Sequence, residues 1–203
     1  MTTTVVRSNL EQLERWQKLY RDHLELKTDF RGLKNHWRRQ EDLLGIPIVE
    51  GSGFGQLTKL IVVPQGVDDN RLYEACAKRF PCYRCVDDFN IIRSDHAAVS
   101  RDVACWIEPA PEAPIELQNR SANDLTRAGI STLVLGGRLA YELDYHDETG
   151  GHLDIKNWTL LPGSRRPGGD VLGADWFVGK FRVHWWHPLV AYSSIRGRVA
   201  VYV

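Results

Sequence analysis

Four cysteines, Cys76, Cys82, Cys85 and Cys105, are the first residues of this 203-residue chain whose type and spacing could do chemistry. Cys82 and Cys85 form a C-x2-C, which is half of a structural zinc site. The second such pair is absent, so Cys76 and Cys105 would have to complete the site at irregular spacing. The plainer expectation is four reduced thiols, buried or half-buried. Asp87-Asp88 and the pair Asp144/Asp147 could be paired carboxylates, but acids on loops and element ends are ordinarily solvated. His184 and His187 lie three apart, which on a strand sends them to opposite faces and argues against a shared metal. No nucleophile, base and orienting group stand together, so the expectation is a binder with no cofactor rather than an enzyme. The aromatics point the same way. Trp176, Trp185 and Trp186 crowd into one short segment, and tryptophan is enriched where surfaces bind partners.

That segment must be positioned by strands. Leu172, Ala174 and Trp176 alternate with Gly173, Asp175 and Phe177. Beyond Val178-Gly179, Phe181, Val183 and Trp185 alternate with Lys180, Arg182, His184 and Trp186. Period-two patterning on both sides of a short glycine-containing link predicts a hairpin. A two-residue loop at Val178-Gly179 places Phe177 opposite Lys180, Asp175 opposite Arg182 and Gly173 opposite His184, with Trp176 opposite Phe181 on the other face. One face is then apolar and belongs to the core. The other carries Asp175, Phe177, Lys180, Arg182, His184 and Trp186. The loop 187–194 follows, rich in small and aromatic residues suited to recognition, and residues 196–203 close the chain as a strand.

Upstream, residues 8–41 read as helix from apolar positions at three- and four-residue steps, with Ser8 and Glu11 forming a capping box and Thr28-Asp29 a break into two helices. Gly51-Ser-Gly-Phe-Gly55 lacks the Gly-Lys-Ser/Thr ending of a phosphate loop and reads as a turn. Residues 57–63, 102–108 and 158–161 read as strands, and 69–79 as a helix with an aspartate cap. Ser121-Ala-Asn-Asp starts a further helix that ends at Gly129. Residues 130–146 are the second long helix, with a strand as the rival because Leu139, Tyr141, Leu143 and Tyr145 also alternate and Gly136-Gly137 weakens a helix. No βαβ period repeats, so the fold class is α+β.

Formal charge is zero with 26% charged residues, which counts against a general nucleic-acid binder. No apolar run is long enough to span a bilayer and no signal peptide is visible, which predicts a cytoplasmic protein without membrane insertion.

At Glu148-Thr-Gly-Gly-His-Leu-Asp154, Gly163-Ser-Arg165, Gly169-x-Val171, Trp176, Val183-x-Trp185-x-x-Pro188 and Arg196-Gly-Arg-Val-Ala200, the chain resembles the variable proteins of diversity-generating retroelements, a class that includes the phage major tropism determinant. The resemblance implies a C-type lectin-like domain over 57–203 behind an N-terminal helical segment and connector, 1–56. It implies no cofactor and an unknown macromolecular ligand, a protein in preference to a nucleic acid. It also implies that outward residues are diversified. Carried over position by position, these are Arg166, Asp170, Gly173, Asp175, Phe177, Val178, Lys180, Arg182, His184, Trp186, His187, Leu189, Ala191, Tyr192 and Ser193. Trp176, Val183, Trp185, Pro188, Arg196 and Arg198 are the implied scaffold. Glu108-Pro-Ala110 departs from the calcium-dependent sugar motif of true C-type lectins, so that chemistry is not expected. Two other readings fit the same residues. The basic and aromatic residues 165–198 could stack on single-stranded nucleic acid, and the tryptophan-rich face could join copies of the chain in a homo-oligomer.

Overall fold

A computed structural model describes residues 7–39, 49–50 and 56–203; the Gly51–Gly55 turn lies outside the described residues. The protein is α+β. Helix α1 (Asn9–Leu24) opens on the predicted Ser8/Glu11 capping box and ends on Glu25 in the left-handed region. Helix α2 (Arg31–Arg39) follows the expected break. Strands β1 (Val49–Glu50) and β2 (Gln56–Leu57) pair antiparallel. β3 (Lys59–Val63) leads into α3 (Asp69–Ala77), capped by Asp68. Next come β4 (Cys82–Arg84), a 3-10 turn (Phe89–Ile91), β5 (Arg93–Ser94) and β6 (Val103–Ile107). A second 3-10 turn (Ile115–Leu117) precedes α4 (Ala122–Arg127), which carries its own capping box from Ser121 and Asp124. α5 (Leu135–Thr149) is followed by β7 (Trp158–Arg165), β8 (Val171–Phe177), β9 (Lys180–Trp186), β10 (Ile195–Gly197) and β11 (Val201–Tyr202).

The larger sheet has the order β10-β7-β8-β9-β4, with β5 paired to the far end of β7. Its centre is the antiparallel meander β7-β8-β9, while β10 and β4 flank it in parallel. A smaller antiparallel sheet, β11-β6-β3, joins the last strand to an early one. α1 lies on the smaller sheet: Trp16 Nε1 donates to Leu60 O at 2.8 Å, and Gln12 Oε1 accepts from Leu60 N at 2.7 Å.

α5 touches β3 of one sheet and β8 of the other. The segment is a helix and not a strand, but it begins only at Leu135, since Thr132 is held in a bridge to Val199; every residue from Leu135 to Asp144 is buried. A helix enclosed on all sides has no polar stripe for periodicity to report. Gly136 and Gly137 are kept by close approach: a Cβ on Gly136 would lie 2.7 Å from Asp69 Oδ1, and one on Gly137 2.7 Å from Leu133 Cδ1.

The charged residues of α5 are buried but paired. Arg138 joins Glu142 at 2.7 Å and Asp154 at 3.1 Å, and Asp154 also accepts from Arg198 at 2.9 Å. Ala113 N and Thr159 Oγ1 add two further donors to Asp154. His152 closes the network on Glu142 at 2.9 Å and stacks on Trp176. Asp144 is held by Arg15, 2.6 Å away, and by Lys59. Among the described residues no helix is long and apolar enough to cross a membrane.

Candidate ligand-binding face

The hairpin β8–β9 forms with the predicted register: Phe177 opposite Lys180, Asp175 opposite Arg182, Gly173 opposite His184 and Trp176 opposite Phe181. Its link is a two-residue turn with both centres in the left-handed region, Val178 at φ 50° and Gly179 at φ 72°. That is the backbone of a I′ turn, which matches strand twist but suits Asn and Gly far better than a β-branched residue. Left-handed backbone costs a non-glycine residue about 1–2 kcal/mol. Val178 is 78% exposed, so little packing offsets that cost.

The outward side chains of β9 meet aromatics from three other strands. Arg182 lies over Trp158 of β7 at 4.6 Å and over Phe177 at 4.3 Å. His184 packs on Tyr83 of β4 and on Trp158, each with centroids 5.2 Å apart. Trp186 packs edge-on against Trp158 at 5.3 Å and against Tyr192 of the following loop at 6.3 Å. The result is one patch, Tyr83, Trp158, Phe177, His184, Trp186 and Tyr192 around Arg182, in which Phe177, Tyr83 and Tyr192 are each about half exposed. Trp186 Nε1 and His184 Nε2 make no hydrogen bond. Burial and the nearby Arg182 charge lower the His184 pKa, which favours the neutral ring at neutral pH.

Several expectations need correction. Gly173 and Asp175 lie on the outward side of β8 but are buried. A Cβ on Gly173 would come within 3.2 Å of Thr159 O and 3.5 Å of the Trp186 ring, so Gly173 is the floor beneath Trp186. Asp175 is sealed under Arg182, which donates from Nε at 3.0 Å and from Nη2 at 2.6 Å. Burial pushes the Asp175 carboxyl up, and the two Arg182 bonds pull it back. Trp186 is a half-buried anchor rather than an exposed one. Trp185, expected in the core, is 44% exposed because the inner packing runs out at this end of β9. Arg166 lies over Trp185 at 4.8 Å, placing it against the opposite side of the sheet from Trp186. Asp170 accepts from Arg166 N within the β7–β8 turn.

The loop after β9 is exposed at His187, Leu189, Tyr192 and Ser193, with Ala191 half-buried. It is tethered where Asn123 N donates to Pro188 O at 3.1 Å. Arg196 donates to Ala113 O, and Arg198 sits in the buried network, so both are built into the scaffold.

Sequence reasoning missed Trp158 and Tyr83 as members of the face. Parity puts Trp158 on the side of Leu160, but only the pairing of Leu160 with Gly173 puts that side on the face that carries His184 and Trp186. Nothing local signals Tyr83, because β4 joins β9 by a parallel pairing across some hundred residues, Tyr83 beside Arg182.

The cysteines are not gathered as zinc ligands. Among the described residues no three His, Cys, Asp or Glu side chains could share a metal ion. Cys76 and Cys105 are separately buried thiols, both pushed up by burial, and Cys82, half-buried on β4, is pushed up to about 12. All four therefore stay protonated near neutral pH. No family model matches the chain, and no curated protein or solved structure matches it.

Proposed function

We propose that the protein is a recognition module, not an enzyme, which holds a protein partner against the aromatic face centred on Arg182. The observation that carries this reading is the patch itself. Six aromatic or imidazole rings from β4, β7, β8, β9 and the loop after β9 form one patch, with the Arg182 guanidinium over two of them, Trp158 and Phe177. Aromatic and arginine side chains in that arrangement are what binding hot spots are made of.

The finer proposal is a variable protein of a diversity-generating retroelement with a C-type lectin-like fold over 57–203. Two features support it. Some of the motif residues behind the resemblance are built into the buried scaffold: Asp154 and Arg198 in the charge network, and Ser164 accepting from Leu135 N at the start of α5. Val178, in contrast, is an exposed β-branched residue in a backbone geometry it fits poorly. Selection for stability would not place it there, whereas a residue drawn by diversification can stand there.

Sequencing the DNA around the coding region tests this directly. The expected result is a near-repeat of the final coding segment that differs at adenines, beside a reverse-transcriptase gene. Differences should fall on codons for Phe177, Val178, Lys180, His184, Trp186, Leu189 and Tyr192 and spare Gly173, Asp175 and Arg198. A locus without repeat or reverse transcriptase would remove the diversification proposal.

A further inference from the structure

A cavity of about 340 Å³ opens between the first turn of α3, the 3-10 turn Phe89–Ile91, the segment 94–99 and the start of α5. It shares no lining residue with the aromatic face. Its walls are apolar at Val63, Val67, Phe89 and Val134, and its polar groups are few. This combination, at the small end of the usual size range, is what small-ligand sites are built from.

Asp69 is the group that gives the cavity its character. It stands in the first turn of α3 with its carboxylate against Gly136 of α5. Among the described residues no hydrogen bond or ion pair satisfies it, whereas its neighbour Asp68 is engaged in capping α3 through Arg71 N at 2.8 Å. Ser94, across the cavity, is engaged with Ser164. Among the described residues no Lys or Arg lines the space, and the one basic group there is His96, which is stacked on Tyr202. The carboxylate is half-buried and faces the cavity, and acids set at the wall of a largely apolar cleft cluster at functional sites.

We propose that this cavity binds a small organic ammonium ion, a primary amine with a compact apolar tail, with Asp69 as its counter-ion. The ammonium supplies the donors and the charge that Asp69 lacks. The tail replaces contact with water along Val63, Val67 and Phe89.

Burial pushes the Asp69 carboxyl up to about 7, with Asp68 contributing, and burial lowers His96. Both titrations act in the same direction. As pH rises from about 5.5 to 8, Asp69 gains its negative charge and His96 loses any positive one, so amine affinity rises.

The test titrates the full chain with 2-phenylethylamine, 2-phenylethanol and 3-phenylpropionate, following backbone amide shifts by NMR. The amine should saturate at millimolar concentration or below, moving the amides of Gly66, Asp69 and Gly136, and should bind about tenfold or more tighter than the alcohol. The propionate should not bind. Asp69→Asn should reduce the amine to the level of the alcohol, and Val99→Trp, at the exposed rim, should weaken both. If Asp69→Asn does not fold, the rim variant and the alcohol comparison still decide. The proposal fails if the amine does not saturate below about 10 mM, if the alcohol matches it, if Asp69→Asn leaves its affinity unchanged, or if potassium chloride moves the same amides as tightly.

Discussion

Asp154→Ala should cost about 3–5 kcal/mol of stability, the range for removing one partner of a buried ion network. Asp154 is wholly buried and binds two wholly buried arginines, Arg138 and Arg198, one on each carboxylate oxygen. It also accepts from Ala113 N, so it ties α5, the connector before Ile115 and the strand entering β11 to one atom group. Alanine leaves two guanidiniums without their shared counter-ion, and Glu142 can compensate only for Arg138. A urea midpoint lowered at unchanged m-value is the expected readout. A loss below about 1 kcal/mol would mean that the network is solvated and contributes little.

Arg182→Met should cost about 2–3 kcal/mol near pH 8, below the range for a fully buried pair because the Arg182 side chain is 20% exposed. The loss should depend on pH. Burial raises the Asp175 carboxyl and Arg182 is the main group that lowers it, so without Arg182 burial is opposed only by the weaker pull of Arg138. A carboxyl whose folded pKa lies above its unfolded value costs nothing at pH well below the ordinary carboxylate range. The cost grows as pH rises and is full above the folded pKa. The variant should therefore approach the parent near pH 4 and fall behind it towards pH 8, and Asp175→Asn in the same chain should recover most of the difference. A pH-independent loss would mean that Arg182 acts by packing on Trp158 and Phe177 and not by charge.

Local signals carried much of this fold. Ser8 with Glu11, and Ser121 with Asp124, announce helix starts because capping is a contact within four residues. The alternation on either side of Val178-Gly179 fixes the hairpin register because a strand side chain has only two directions to point. Neither signal reaches across the molecule. Gly173 and Asp175 read as outward from parity, which they are, but their burial is decided by Trp186 and Arg182 folding over them and by β7 alongside. Tyr83 and Trp158 join the face only through strand pairings that no local pattern encodes. Asp69 likewise reads as an ordinary helix-start acid until α5 is packed against it. Gly136-Gly137 illustrates the converse: a local penalty on the helix is outweighed by the close approach of Asp69 and Leu133, which only the assembled core reveals.

The central claim is a division of labour within one hairpin and its following loop, in which one set of side chains builds the fold and the other meets a partner. Two displayed libraries test it most directly, read first by protease resistance and then by selection on an arbitrary folded protein such as lysozyme. One randomises Phe177, Val178, Lys180, His184, Trp186, Leu189 and Tyr192; the other randomises Leu172, Ala174, Phe181 and Val183. The account predicts that most members of the first library stay folded and that some bind lysozyme, while most members of the second are digested. If the first library is digested as readily as the second, the aromatic patch is part of the core and the recognition face does not exist.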